Sequence, residues 1–137
     1  MKSLQTLLKV AQRRMDELGV EAVRLGQHVD QLRMQEATIL AREETEVALA
    51  ENDAQLAPML PAYRARVKVQ AKEVRRQISE KETQLVEVRV LLNEAYQEKA
   101  KFEHLIAQEA IRITTERAAK EQAMLDEVAI NRAGAAD

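Results

Sequence analysis

Ala57-Pro58-Met59-Leu60-Pro61-Ala62 holds both prolines of the 137-residue chain. Each proline lacks the amide donor that a helix interior uses and pushes its predecessor out of the α region, so two within four residues end one helix and start another. On either side apolar residues recur at alternating steps of four and three. Upstream they are Leu4, Leu8, Ala11, Met15, Leu18, Ala22, Leu25, Val29, Leu32 and Ile39, with Glu36 the one intrusion. Downstream they are Val67, Ala71, Val74, Ile78, Leu85, Val88, Leu92, Ala95, Phe102, Ile106 and Ile113, interrupted by Lys81, Lys99 and Glu109. A sustained 3.5-residue period is the seam of a left-handed coiled coil rather than the broader stripe of a globular helix. Past Ile39 the register meets Glu43, Glu46 and Asp53, whereas Leu40, Val47, Ala50, Ala54 and Ala57 line up if the seam moves over by one residue, which implies a local distortion. Past Ile113 the same stepping gives Glu116, Lys120, Ala123, Glu127 and Ile130, and the seam dissolves.

These patterns predict an all-α fold, a two-helix antiparallel coiled-coil hairpin with an overhanging C-terminal helix, in a single coiled-coil domain over residues 1–137. Helix 1 is expected at about 3–57, the turn at 58–61, helix 2 at about 62–131 and a short tail at 132–137. The 32% charged residues, 2% aromatics and three glycines fit long helices better than a compact globule. Hydrophobic residues at 46%, regularly spaced, argue against disorder.

Charge placement favours folding back. Glu43, Glu44, Glu46, Glu51 and Asp53 end helix 1, and Arg64, Arg66, Lys68, Lys72, Arg75 and Arg76 begin helix 2. Both blocks sit at the wrong end of their own helix dipole. A reversal at the prolines lays them side by side, with facing positions whose numbers add to about 119. Glu36 is then expected near Lys81 and Lys9 near Glu109. Leu4 faces about Thr115, so the helix from Glu116 onward has no partner within the chain, although Met124, Leu125, Val128 and Ile130 remain apolar.

Catalytic chemistry finds little to use. There is no cysteine, and the two histidines, His28 and His104, lie many turns apart in the hairpin. No nucleophile sits beside a base, and three scattered glycines make no phosphate-cradling loop. The expectation is a nonenzymatic protein with no cofactor and no metal site. A net charge of −2 gives no general attraction to nucleic acid, and the basic run from Arg64 to Arg76 has an acidic complement in the hairpin and lacks interleaved aromatics apart from Tyr63. No segment approaches a transmembrane span, and residues 1–11 lack the apolar core of a signal peptide, so the expected location is cytoplasmic, without direct membrane insertion.

Three surfaces are candidates for partner binding: the open end, where Lys9, Arg13 and Arg14 lie beside the overhang; the hairpin tip, with Leu56, Met59, Leu60 and Tyr63; and Val86 with Val90, one helical turn apart and off the seam. Gly19 and Gly26, seven apart, read as tolerated surface glycines.

The start, Leu4-Gln5-Thr6-Leu7-Leu8-Lys9-Val10-Ala11-Gln12-Arg13-Arg14-Met15-Asp16-Glu17, and the ending, Glu121-Gln122-Ala123-Met124-Leu125-Asp126-Glu127-Val128-Ala129, resemble the terminal patterns of the FliJ family (FliJ/YscO stalk proteins) of the flagellar type III export apparatus. The motif covers about 25 residues and the two-helix layout the whole chain. The resemblance implies a stalk and coupling protein that inserts into the hexameric export ATPase ring (FliI-like), promotes its assembly, and links it to the cytoplasmic domain of the export gate (FlhA-like) and to export chaperones, at the cytoplasmic face of the apparatus. It carries the ATPase contact to Lys9, Arg13, Leu125, Asp126 and Glu127. It transfers no gate-binding motif, and Tyr63, Val86 and Val90 stand only as a possible partner surface. The chain departs from the family in a short, proline-marked turn and in the tail Ala133-Gly134-Ala135-Ala136-Asp137, which is not basic. The alternatives are the equivalent stalk of a virulence type III secretion system and a prefoldin-like coiled-coil holdase.

Overall fold

Ala, Leu, Glu, Gln, Lys and Arg lose little side-chain freedom in a helix, and they make up most of the chain. The computed structural model describes residues 2–136. Its elements are two long helices, α1 over Lys2–Glu51 and α2 over Leu60–Ala136, with a 3-10 turn at Ala57–Met59 between them. The fold is all-α, and the two helices pair as an antiparallel hairpin.

The joint differs from the expected one. Helix 1 ends at Glu51 rather than near residue 57, the connection covers 52–59 rather than 58–61, and helix 2 runs from Leu60 to Ala136 rather than from 62 to 131. The stop comes from Asn52 and Asp53. The amides of Asn52 and Asp53 donate to the carbonyls of Leu49 and Ala50, tightening the last turn. The Asp53 carboxylate then accepts the Gln55 amide at 2.8 Å, and its carbonyl accepts the amides of Leu56 and Ala57. This is the local aspartate turn that competes with helix continuation. Both prolines sit where a missing donor costs nothing: Pro58 in the 3-10 turn and Pro61 in the first turn of α2.

Contacts divide the chain into two units, Asp16–Asn93 and the segments before and after it. In the Asp16–Asn93 unit the core is Val29 and Leu32 of α1 against Val74 and Ile78 of α2, with Ile39 packed on it and Leu25 the most deeply buried large side chain. Each such burial contributes roughly 1.5–3 kcal/mol. Two ion pairs across the helices mark the register, Arg75 Nε to Glu36 at 3.4 Å and Arg33 to Glu82. Their numbers add to 111 and 115, below the 119 expected of a turn at the prolines, because the turn opens earlier in α1. Glu36 therefore meets Arg75 and not Lys81.

The expected seam shift is present but takes another route. Beyond Ile39 the half-buried positions are Glu43 and Val47, followed by buried Ala50, while Leu40, Ala54 and Ala57 are exposed. Two successive steps of four carry the seam across, a stutter that locally unwinds the supercoil. The charge blocks are neighbours rather than an ion-pair lattice: Glu46 and Arg66 line one hollow, but no acid of the block is ion-paired to the basic block among the described residues.

In the other unit Leu4, Leu8, Ala11 and Met15 of α1 and Ala95, Lys99, Phe102, Ile106 and Ile113 of α2 are all buried or half-buried. Ala11 and Ala95 are nearly inaccessible. Glu109 does not meet Lys9; it pairs with Arg112 of its own helix at 2.5 Å.

Candidate functional site

From Thr114 to Ala135 every residue of α2 is exposed. The helix nevertheless continues to Ala136. Most helical stability in proteins comes from packing an amphipathic face, so a stretch this long held by local terms alone is unusual. Those local terms are visible: Arg112 Nη1 donates to Glu116 at 2.7 Å, and Gln122 Nε2 donates to Asp126 Oδ1 at 3.0 Å. The apolar residues here are not small. Exposure runs from 48% at Val128 to 71% at Ile130, with Met124 and Leu125 between. The bare stretch begins two residues before the expected Glu116 and extends at least four past the expected end at 131.

The site residues carried over from the resemblance do not form one cluster. Lys9 and Arg13 are exposed and lie one turn apart in α1, between seam positions Leu8, Ala11 and Met15, on the paired part of their unit. Leu125, Asp126 and Glu127 are exposed on the bare part, starting twelve residues past Ile113, about 18 Å along the axis. A partner that touches all five must span both stretches.

In the Asp16–Asn93 unit, Val86 and Val90 are more than half exposed, with Leu91 adding to the same stretch of helix. At the turn, Leu56 and Met59 are exposed while Leu60 and Tyr63 are half-buried over Ala50. An alanine Cβ built at Gly19 or Gly26 would meet nothing within 4 Å, which fits surface glycines rather than a close approach between helices. His28 is half-buried and His104 exposed. No group of three or more histidine, cysteine, aspartate or glutamate side chains could hold a metal ion among the described residues. None of their helices is long and apolar enough to cross a membrane.

Electrostatics here are local. The Arg76 hydrogen bond, helped by Gln77, holds the Glu73 carboxyl below the usual carboxylate range, and Arg112 does the same for Glu109 and Arg24 for Glu21. All are exposed pairs one turn apart that support the helix surface and build no acid–base couple. What the seam rule did not single out is a run of hollows along the displaced seam, lined by Arg42 and Arg66. The change of register at Ile39 was its only signal in the sequence. The chain matches no family model, no curated protein and no solved structure.

Proposed function

We propose that this chain is a nonenzymatic stalk and coupling protein of a type III protein export apparatus, flagellar in the first instance. The observation that supports it is the C-terminal stretch of α2, helical yet uncovered from Thr114 to Ala135, with Met124, Leu125, Val128 and Ile130 exposed, as a helix that docks in another protein requires. The stalk end enters the export ATPase ring, with Leu125, Asp126 and Glu127 against the ring's inner wall and Lys9 and Arg13 at the collar where the hairpin begins. A helix in a ring's pore presents different faces to different subunits and so biases them toward different nucleotide states. Coupling to the gate and to export chaperones uses the remaining surface, for which Tyr63, Val86 and Val90 are the exposed and half-exposed apolar candidates.

The test is ATP turnover and ring assembly by the purified export ATPase with and without the chain. Stimulation that is lost on truncation after Ile113 supports the proposal; unchanged turnover and assembly contradict it. Use by a virulence secretion system rather than a flagellum is the same proposal with a different ATPase, and turnover by each ATPase separates them. The exposed Leu56 and Met59 at the turn favour one reading of another class, a prefoldin-like holdase. That reading requires the chain to suppress aggregation of an unrelated unfolded client without the export ATPase.

A further inference from the structure

The two units bury their seams to different depths. In Asp16–Asn93 large side chains are buried on both helices, Leu25, Val29 and Leu32 on α1 and Val67, Val74 and Ile78 among those on α2. In the other unit the buried residues, among those described, are Ala11 and Ala95, and an alanine takes little apolar surface out of water. Its larger seam residues, Leu4, Leu8 and Met15 on α1 and Phe102, Ile106 and Ile113 on α2, all stay half-buried.

Charge separates the units in the same direction. Lys99 and Glu109 occupy seam positions of α2 and are half-buried there, where loss of water disfavours an ionised group. Each turns back to its own helix for a partner: Lys99 Nζ lies 3.5 Å from Glu103, and Glu109 pairs with Arg112. In Asp16–Asn93, by contrast, Arg33–Glu82 and Arg75–Glu36 tie one helix to the other. Four residues past the boundary at Met15, α1 carries Gly19, the residue type least suited to a helix after proline. The cover that α1 lays over α2 is therefore firm as far as Asp16 and weak beyond it.

We propose that residues 2–15 are a strap, which lifts from α2 as one piece while Asp16–Asn93 stays paired. Once lifted, a helix this short does not hold itself in water, so the strap loses its helix as it opens. The opened form is a minor population of the free chain, and the seam is covered most of the time. Opening uncovers Phe102, Ile106 and Ile113 and carries the bare stretch of α2 back from Thr114 to Ala95, lengthening it from roughly 32 Å to roughly 60 Å at 1.5 Å per residue. Use of the longer surface by a docked partner rests on the proposed function. The opening itself does not, since it is measured on the chain alone.

Thiol-labelling rates of single-cysteine variants of the full chain test it. The chain has no cysteine of its own, and Ala11, Ala71 and Ala95 are matched at 3%, 3% and 2% exposure, so static accessibility gives all three one slow rate. The strap predicts that Ala11→Cys and Ala95→Cys react with a soluble maleimide at similar rates, about a hundredfold or more faster than Ala71→Cys, because a weakly packed unit opens without the rest. Lys99→Leu, which puts an apolar side chain in the seam, slows the first two about tenfold and leaves Ala71→Cys unchanged. Circular dichroism of each variant checks that helix content is kept. Amide exchange of the unsubstituted chain reads the same event: residues 8–15 share one protection level, below that of residues 22–50. Equal labelling at all three positions overturns the proposal, as does indifference to Lys99→Leu. So does a fast Ala11→Cys beside an Ala95→Cys as slow as Ala71→Cys, or protection that rises steadily from residue 8 to 15, since either describes a fraying chain end and no strap.

Discussion

Residues 60–113 and 114–136 of α2 are parts of one unbroken helix, yet from Val67 to Ile113 every seam position is buried or half-buried and from Thr114 on none is. Helix propensity does not separate the two stretches, since both are rich in alanine, glutamate, lysine and arginine. What separates them is whether the four-and-three stepping of apolar residues continues. The first stretch owes its stability to burial, and the second has only its i,i+4 contacts to hold it. The lesson is that a helix can be fully formed and still half unfinished, and the unfinished part is where a partner is needed.

The sharpest way to break this comparison is to make the same deletion in each stretch. Leu85→Ala removes a buried seam residue and should cost about 2–5 kcal/mol in urea denaturation, whereas Leu125→Ala should fall within about 0.5 kcal/mol of wild type. Equal costs would show that the C-terminal stretch is packed in the free protein. Smaller, and opposite in sign, is Gly26→Ala: the space around that position is open, so the substitution should stabilise by about 1 kcal/mol, read as a raised Tm. Gly134→Ala, near the end of the bare helix, should gain less. A destabilising Gly26→Ala would reveal a close contact that the hairpin geometry does not contain. Smaller again is the register pair Arg33–Glu82, exposed on both sides, whose double-mutant cycle should give a coupling of about 0.2–1 kcal/mol that weakens with salt.

Smallest is the pH response. The Glu73 and Glu109 carboxyls lie below the usual range, held there by hydrogen bonds from Arg76 and Arg112. A depressed folded-state pKa means a stabilisation present above the unfolded value and lost as pH falls through the folded one. Carboxylate NMR should therefore show both titrating below an unstructured glutamate, with helix content falling slightly as acidification passes below the ordinary carboxylate range. Ordinary midpoints would sever the link to the arginines.

Much of this was legible in the sequence. The stepping from Leu4 to Ile39 and from Val67 to Ile113 selects residues that are all at least half-buried, because a 3.5-residue period leaves little freedom in which side faces the partner. The joint was less legible. Prolines attract attention as breakers, but Pro58 and Pro61 occupy positions where a proline is tolerated, and the stop was set by Asp53, whose carboxylate accepts the Gln55 amide two residues on. That turn pulled the register down from 119 toward 111, moved Glu36 from Lys81 to Arg75, and left the expected Lys9–Glu109 pair unmade. The Asn52-Asp53 pair, two residues that favour local turns over helix, was the available signal. The open end was legible as an overhang, but the separation of Lys9 and Arg13 from Leu125, Asp126 and Glu127 was not. It follows from where the pairing stops, which no local motif encodes.

The central claim, that α2 is covered to Ile113 and bare beyond it, is tested most directly by residue-resolved amide hydrogen exchange on the free chain in dilute solution. The account predicts strong protection for residues 67–113 and exchange faster by orders of magnitude for residues 114–136, because only the first stretch must unfold with its partner helix to exchange. Uniform protection through residue 136 would contradict it.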